Sequence, residues 1–130
     1  MKLGYVIVYT SDVLSSVDFY ERALGLKRRF VHESNQYAEM ETGSTALAFV
    51  ADNLAAINVP VAYRKNALSG PPAGIEIALV SPDIETAYAN AVANGAKPIQ
   101  SPIKKPWGQM VGYVLDNNGI LVELATPIGT

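Results

Sequence analysis

The chain contains no cysteine and only one histidine. The first absence removes thiolate catalysis, disulfides and sulfur-ligated zinc together. The second excludes a two-histidine iron site within one subunit, and no Ser/Asp spacing converges on that lone imidazole to make a triad. No apolar run approaches the ~20 residues needed to span a bilayer. Charge is sparse, at 17% of residues with a net charge of −2, which gives no footprint for nucleic acid. The basic residues fall in Lys27-Arg28-Arg29, Arg64-Lys65 and Lys104-Lys105. These read as solvated faces or strand ends, with an anion-recognising rim as the other reading. Met1-Lys2-Leu3 leads into strand-like sequence without a signal peptide. The expectation is a cytoplasmic protein that engages neither nucleic acid nor membrane.

What the chain does have is repetition. Asp12-Val13-Leu14 follows one apolar run and Asp83-Ile84-Glu85 follows another. Each opens an amphipathic stretch that stops at glycine, Gly25 or Gly95, and each stretch precedes three short strand-like runs. An internal repeat fixes architecture before any single motif is read. In the first copy, Leu3–Tyr9 is β-branched and aromatic, as a strand requires. Ser11 or Asp12 offers an N-cap, and Val13, Val17, Tyr20 and Leu24 recur at helical spacing over 12–24. Strands are expected over Lys27–His32, Gln36–Glu41 and Thr45–Ala51. In the second copy, a strand at Gly74–Val80 is followed by a helix over Pro82–Asn94 with proline at its start. Strands then follow near Lys97–Gln100, Gln109–Leu115 and Ile120–Ala125, the last two joined by the turn Asp116-Asn117-Asn118-Gly119.

At 130 residues the chain suits one compact domain. It divides into module one (1–51), a linker (52–73) rich in proline with a short helical piece, and module two (74–130). The fold class is α+β: two tandem βαβββ modules, whose curved mixed sheets are expected to pair into a trough that serves as a ligand cleft.

The tandem modules, the Asp-Val-x-x-Ser-x-x-Phe-Tyr run of Asp12–Tyr20 and the Asp-x-x-Gly-x-x-x-Glu run of Asp116–Glu123 resemble the vicinal oxygen chelate superfamily. Phe19-Tyr20 with Leu24-Gly25, and Trp107-Gly108-Gln109 before the Asp116 turn, are similar to its glyoxalase/bleomycin-resistance branch. In enzymes of that superfamily a divalent metal sits in the trough, held by His or Gln early and Glu late in each half. The resemblance carries those four places onto Tyr5, Ala48, Glu76 and Glu123. Glu76 precedes Ile-Ala-Leu as the second-half histidine does in glyoxalases, and Glu123 lies in Val-Glu-Leu. Tyrosine, with a pKa of ~10, is a poor ligand and alanine is none. Two carboxylates are left where three or four ligands are wanted, and neither is an imidazole.

The remaining candidates are read from strand alternation. Glu123 interrupts an apolar strand and shares a face with Leu121, opposite Val122 and Leu124. If the latter two meet a helix, Glu123 points into the trough, where tyrosine hydroxyls, backbone amides, trough water or a ligand must satisfy it. Glu76 is expected nearby, so the two could share a proton or attract a cation. Tyr5, Ile7 and Tyr9 line one face of the first strand, and Tyr5 either replaces a metal ligand or fills the space. Trp107 is a lid for the trough or a packing plug. Phe19 and Tyr20 belong to the core or a dimer contact, and His32 is an ordinary surface residue at the end of the second strand.

Two functions follow from the resemblance. One is a metal-independent, cofactor-free protein that binds a drug or metabolite, as bleomycin-resistance proteins do. Its ligand contacts would be Tyr5, Ile7, Ala48, Glu76, Trp107 and Glu123, with no catalytic residue. The other is a glyoxalase-like lyase or isomerase with a non-standard or incomplete metal site. Either is expected to be a homodimer with a small molecule as its partner.

Overall fold

The protein is described here by a computed structural model that covers residues 1–129. Two compact units divide at Asn66/Ala67, inside the proline-containing segment. The first unit contains β1 (Tyr5–Thr10), α1 (Val13–Arg22), β2 (Lys27–Val31), β3 (Tyr37–Glu41), β4 (Ala46–Ala51) and α2 (Asp52–Asn58). The second contains β5 (Glu76–Val80), α3 (Ile84–Ala93), β6 (Lys97–Lys104), β7 (Met110–Leu115) and β8 (Leu121–Ala125). The sheets have the same order, β1-β4-β3-β2 and β5-β8-β7-β6. In each, the first strand runs parallel to the last and the other pairings are antiparallel. Both are βαβββ modules of an α+β fold, as the repeat implies. Among the described residues no helix is long and apolar enough to cross a membrane.

α1 and α3 each start where an aspartate caps them. Asp12 accepts from the Ser15 amide at 3.0 Å and Asp83 from the Thr86 amide at 3.2 Å, satisfying donors that the first turn leaves free. α3 therefore begins at Ile84 and not at Pro82: Asp83 is the cap, and the proline stands before it. The buried face of α1 is Val13, Ser16, Val17, Phe19 and Tyr20, and this helix lies against β2, β3 and β4. Tyr20 meets Phe49 of β4 at 5.0 Å between ring centroids, so Phe19 and Tyr20 belong to the core of the first unit. Ser16 is tolerated in that face because its hydroxyl bonds Thr10 at 2.9 Å. In the second unit α3 lies against β6, β7 and β8, with Ile84, Tyr88 and Ala91 buried.

Strand β6 is twice as long as its sequence suggested, running through Pro102 to Lys104 with register shifts at Pro98/Gln100 and Gln100/Ile103. Prolines end a central strand, but an edge strand that bulges accommodates them. Gly112 of β7 makes this possible, since a Cβ there would stand 3.1 Å from both Pro102 and Tyr88.

Candidate functional site

Alternation along β8 buries Val122 and Leu124 on the side of α3 and leaves Glu123 on the other, open side of the sheet. Its neighbours there follow from register. Tyr113 of β7 pairs directly with Glu123, and Glu76 of β5 pairs with Leu121, two residues along the same face. The Tyr113 hydroxyl donates to Glu123 Oε1 at 3.1 Å. The carboxyl groups of Glu76 and Glu123 are themselves within hydrogen-bonding reach. Two carboxylates this close disfavour being ionised together. The bond to Glu123, then partial burial, raises Glu76 above its ordinary value. Burial, followed by the bond to Glu123, does the same for Tyr113. No lysine, arginine or histidine among the described residues bonds either glutamate.

The register of the first unit shows what stands in the same places. Tyr5 pairs with Ala46, as Glu76 pairs with Leu121, so Tyr5 is the repeat counterpart of Glu76 and Ala48 that of Glu123. Tyr5 is 58% exposed and Ile7 48%, both on the open face, while Ala48 is fully buried. A carboxylate is nonetheless present, one strand over. Glu39 of β3 pairs directly with Ala48, the place that Tyr113 occupies beside Glu123. Glu39 is 7% exposed and completely bonded: Tyr37 donates to Oε2 at 2.6 Å and the Arg29 guanidinium to Oε1 at 3.2 Å. Arg29 also grips both oxygens of Glu41 at 3.0 Å and donates to the Gly43 carbonyl. The sequence reading missed Glu39. The signal was there in the alternation Tyr37-Ala38-Glu39-Met40-Glu41, which puts three polar side chains on the face opposite Ala38 and Met40.

Trp107 lies in the tight β6–β7 turn, 62% exposed, with its indole N–H bonded to Gln109 Oε1 at 2.8 Å. Gln109 is buried and donates to the Thr126 carbonyl, so the ring is aimed by an amide fixed to the end of β8. It does not fill the core of its unit. His32 follows β2 in a turn, where Nδ1 meets the Ser34 hydroxyl at 2.8 Å and accepts the Ser34 amide; it supports the turn and belongs to neither acidic cluster.

The family model for the Glyoxalase/Bleomycin resistance protein/Dioxygenase superfamily matches residues 2–124. The chain belongs to that superfamily. Its fold is shared with a glyoxalase-related enzyme from Fulvimarina pelagi, at TM-score 0.84 and 19% identity, over 98% of this chain and 88% of that one. A superfamily protein from Nocardioides aligns at TM-score 0.72 and 23% identity, over 99% and 85% of the two chains. TioX from Micromonospora sp. ML1 aligns at 0.73 and 19%, over 97% and 98%. At these identities the likeness carries the fold alone. No curated protein matches the sequence.

The metal that superfamily enzymes use can be tested against the donors present. Among the described residues no three His, Cys, Asp or Glu side chains gather at one point. The second unit offers two carboxylates, Glu76 and Glu123, and of the first-unit positions Ala48 has no donor. A resident divalent ion takes four or more ligands, so this set does not fit one.

Proposed function

We propose that the chain is a metal-independent small-molecule-binding protein, resembling the bleomycin-resistance members of its superfamily. Its ligand is a drug or metabolite with a cationic or strongly hydrogen-bond-donating group. The observation that supports this is the Glu76–Glu123 pair on an open sheet face, braced by Tyr113 and without a bonded cation. Two acids held together are electrostatically unfavourable, and an incoming ammonium or amidinium relieves them with charge-assisted bonds. Glu76, Glu123 and Trp107 are the expected contacts in the second unit; Ala48, fully buried, is not one of the contacts. No residue is given a catalytic role and no cofactor is invoked.

A lyase or isomerase is the second reading, favoured by the same pair: two neighbouring acids are the minimum for acid–base chemistry. Metal analysis of purified protein, with a thermal-shift screen against Ni, Zn, Mn and Fe(II) and against aromatic cations, separates the two. A cation at 100 times its Kd stabilises by ~2.7 kcal/mol. Stoichiometric tightly held metal reverses the conclusion. Glu123→Gln is expected to weaken a cationic ligand by about tenfold or more with little loss of stability. Unchanged affinity in that variant removes Glu123 from the site. We further propose a homodimer, which light scattering on the eluted protein tests; a monomeric mass rejects it.

A further inference from the structure

The two open faces carry the same chemical group under different control. In the second unit Glu123 accepts from a tyrosine hydroxyl and lies near Glu76; in the first, Glu39 is held by a guanidinium. Glu39 has the makings of a cation site: a carboxylate with three aromatic side chains on its own face. Phe30 pairs directly with it in the β2–β3 register, Tyr37 lies two residues away on the same strand, and Tyr5 shares the face through β4. The Phe30 and Tyr37 ring centroids are 5.8 Å apart, and Phe30 and Tyr5 are 42% and 58% exposed. Aromatic faces around a carboxylate attract organic cations. What prevents that here is Arg29, the extra residue at the β2 bulge between Arg28 and Phe30. Without the bulge, alternation would send residues 28 and 30 to one face and 29 to the other. Lys27 pairs with Glu41, so Arg29 lies on the Glu39 and Glu41 face in either case, where its side chain reaches both acids; what the bulge adds is Phe30 on that same face.

We propose that Arg29 is a specificity-determining residue: by occupying Glu39 it silences a cation site on the first unit and leaves cation recognition to Glu76 and Glu123. This rests on the cation-binding reading given above. It adds that the ligand's charged group has one acidic partner in each chain, although the chain contains two carboxylate clusters on open sheet faces.

Ethidium, an aromatic cation whose fluorescence reports binding, serves as the probe. Glu76→Gln/Glu123→Gln is expected to weaken ethidium by about tenfold or more, and adding Arg29→Met to recover at least about tenfold of affinity. Adding Glu39→Gln to that triple variant should abolish the recovery. In the wild-type background, Glu39→Gln alone keeps the Tyr37 bond and is expected to leave ethidium binding within about twofold. The inference is overturned if Arg29→Met, folded by circular dichroism, recovers nothing, or if the recovery survives Glu39→Gln. It is equally overturned if Glu39→Gln alone weakens ethidium about tenfold, since Glu39 would then already contact the cation. If the wild type and Glu76→Gln/Glu123→Gln bind ethidium alike, the acid-pair reading fails by itself, and the Arg29 and Glu39 variants still decide this one.

Discussion

The first and second units share one strand order and one helix-capping device, yet they spend their cores differently. The first packs aromatic rings, Tyr20 on Phe49 with Phe19 beside it, whereas the second packs Val114, Val122 and Leu124 under Tyr88. The turns before the last strand differ in the same way. Gly43 has a φ of +98° with nothing near its missing Cβ, while Gly119 has a φ of +83° and a Cβ there would fall 2.1 Å from the Ala67 carbonyl oxygen. What the repeat preserves is the path of the chain. Side-chain chemistry was free to diverge on both faces of each sheet, and it diverged most at the acids.

Three measurements sharpen this comparison. Removing the ring at Phe49 has the largest expected effect, about 3–5 kcal/mol, because the cavity lies among rigid aromatic neighbours. Val122→Ala, the smaller deletion in the other core, should cost roughly 2 kcal/mol. Urea denaturation reads both, and equal costs would mean the cores are equivalent after all. Next come the turns. Gly119→Ala combines left-handed strain with a backbone clash and is expected to cost on the order of 3 kcal/mol, against about 1 kcal/mol for Gly43→Ala. A Gly119→Ala protein as stable as Gly43→Ala would show that the Ala67–Leu68 segment yields easily.

The smallest effect is the most diagnostic, because its sign is fixed. Glu76 is raised above its ordinary 4.5 by its bond to Glu123. Its contribution is therefore fully present below that value and lost as pH rises through the raised pKa. Wild type should lose stability relative to Glu76→Gln as pH rises above 4.5 and through the raised pKa. Asp12 runs the other way: the Ser15 amide holds it below its ordinary 3.8, so its contribution is present above that value and lost as pH falls. A difference between Glu76→Gln and wild type that is flat with pH would falsify the raised pKa of Glu76.

How far the sequence carried the fold can be seen residue by residue. Aspartate before α1 and α3 and glycine after each located both modules, because capping needs a short oxygen-bearing side chain at one end and a left-handed residue at the other. Element ends were misjudged where proline was read as a marker by itself. Pro82 stands outside the helix it was expected to start, and Pro102 sits within a strand because β6 is an edge. The proximity of Glu76 and Glu123 was legible, since alternation and the repeat put both on one face of neighbouring strands. Glu39 was not found, for a reason that is physical. The places carried over by the resemblance lie on the first and last strands of each half, and Glu39 lies one strand over from Ala48, outside that pattern. The place of Phe30 opposite Glu39 depends on a bulge, which alternation cannot foresee.

The parallel pairing of β1 with β4, and of β5 with β8, has a kinetic consequence. In each sheet the strand made last inserts between the one made first and the one made just before it. Neither sheet has its full set of pairings until its fourth strand arrives, so a half-synthesised module is a helix and a hairpin with the first strand unpaired. The last strand of the first module, ending at Ala51, precedes β5 in the chain, so it leaves the ribosome first. Long-range pairing of this kind is slow to form, and the chain's arrangement divides that wait into two separate closures, with the strands of the earlier sheet all made before those of the later one.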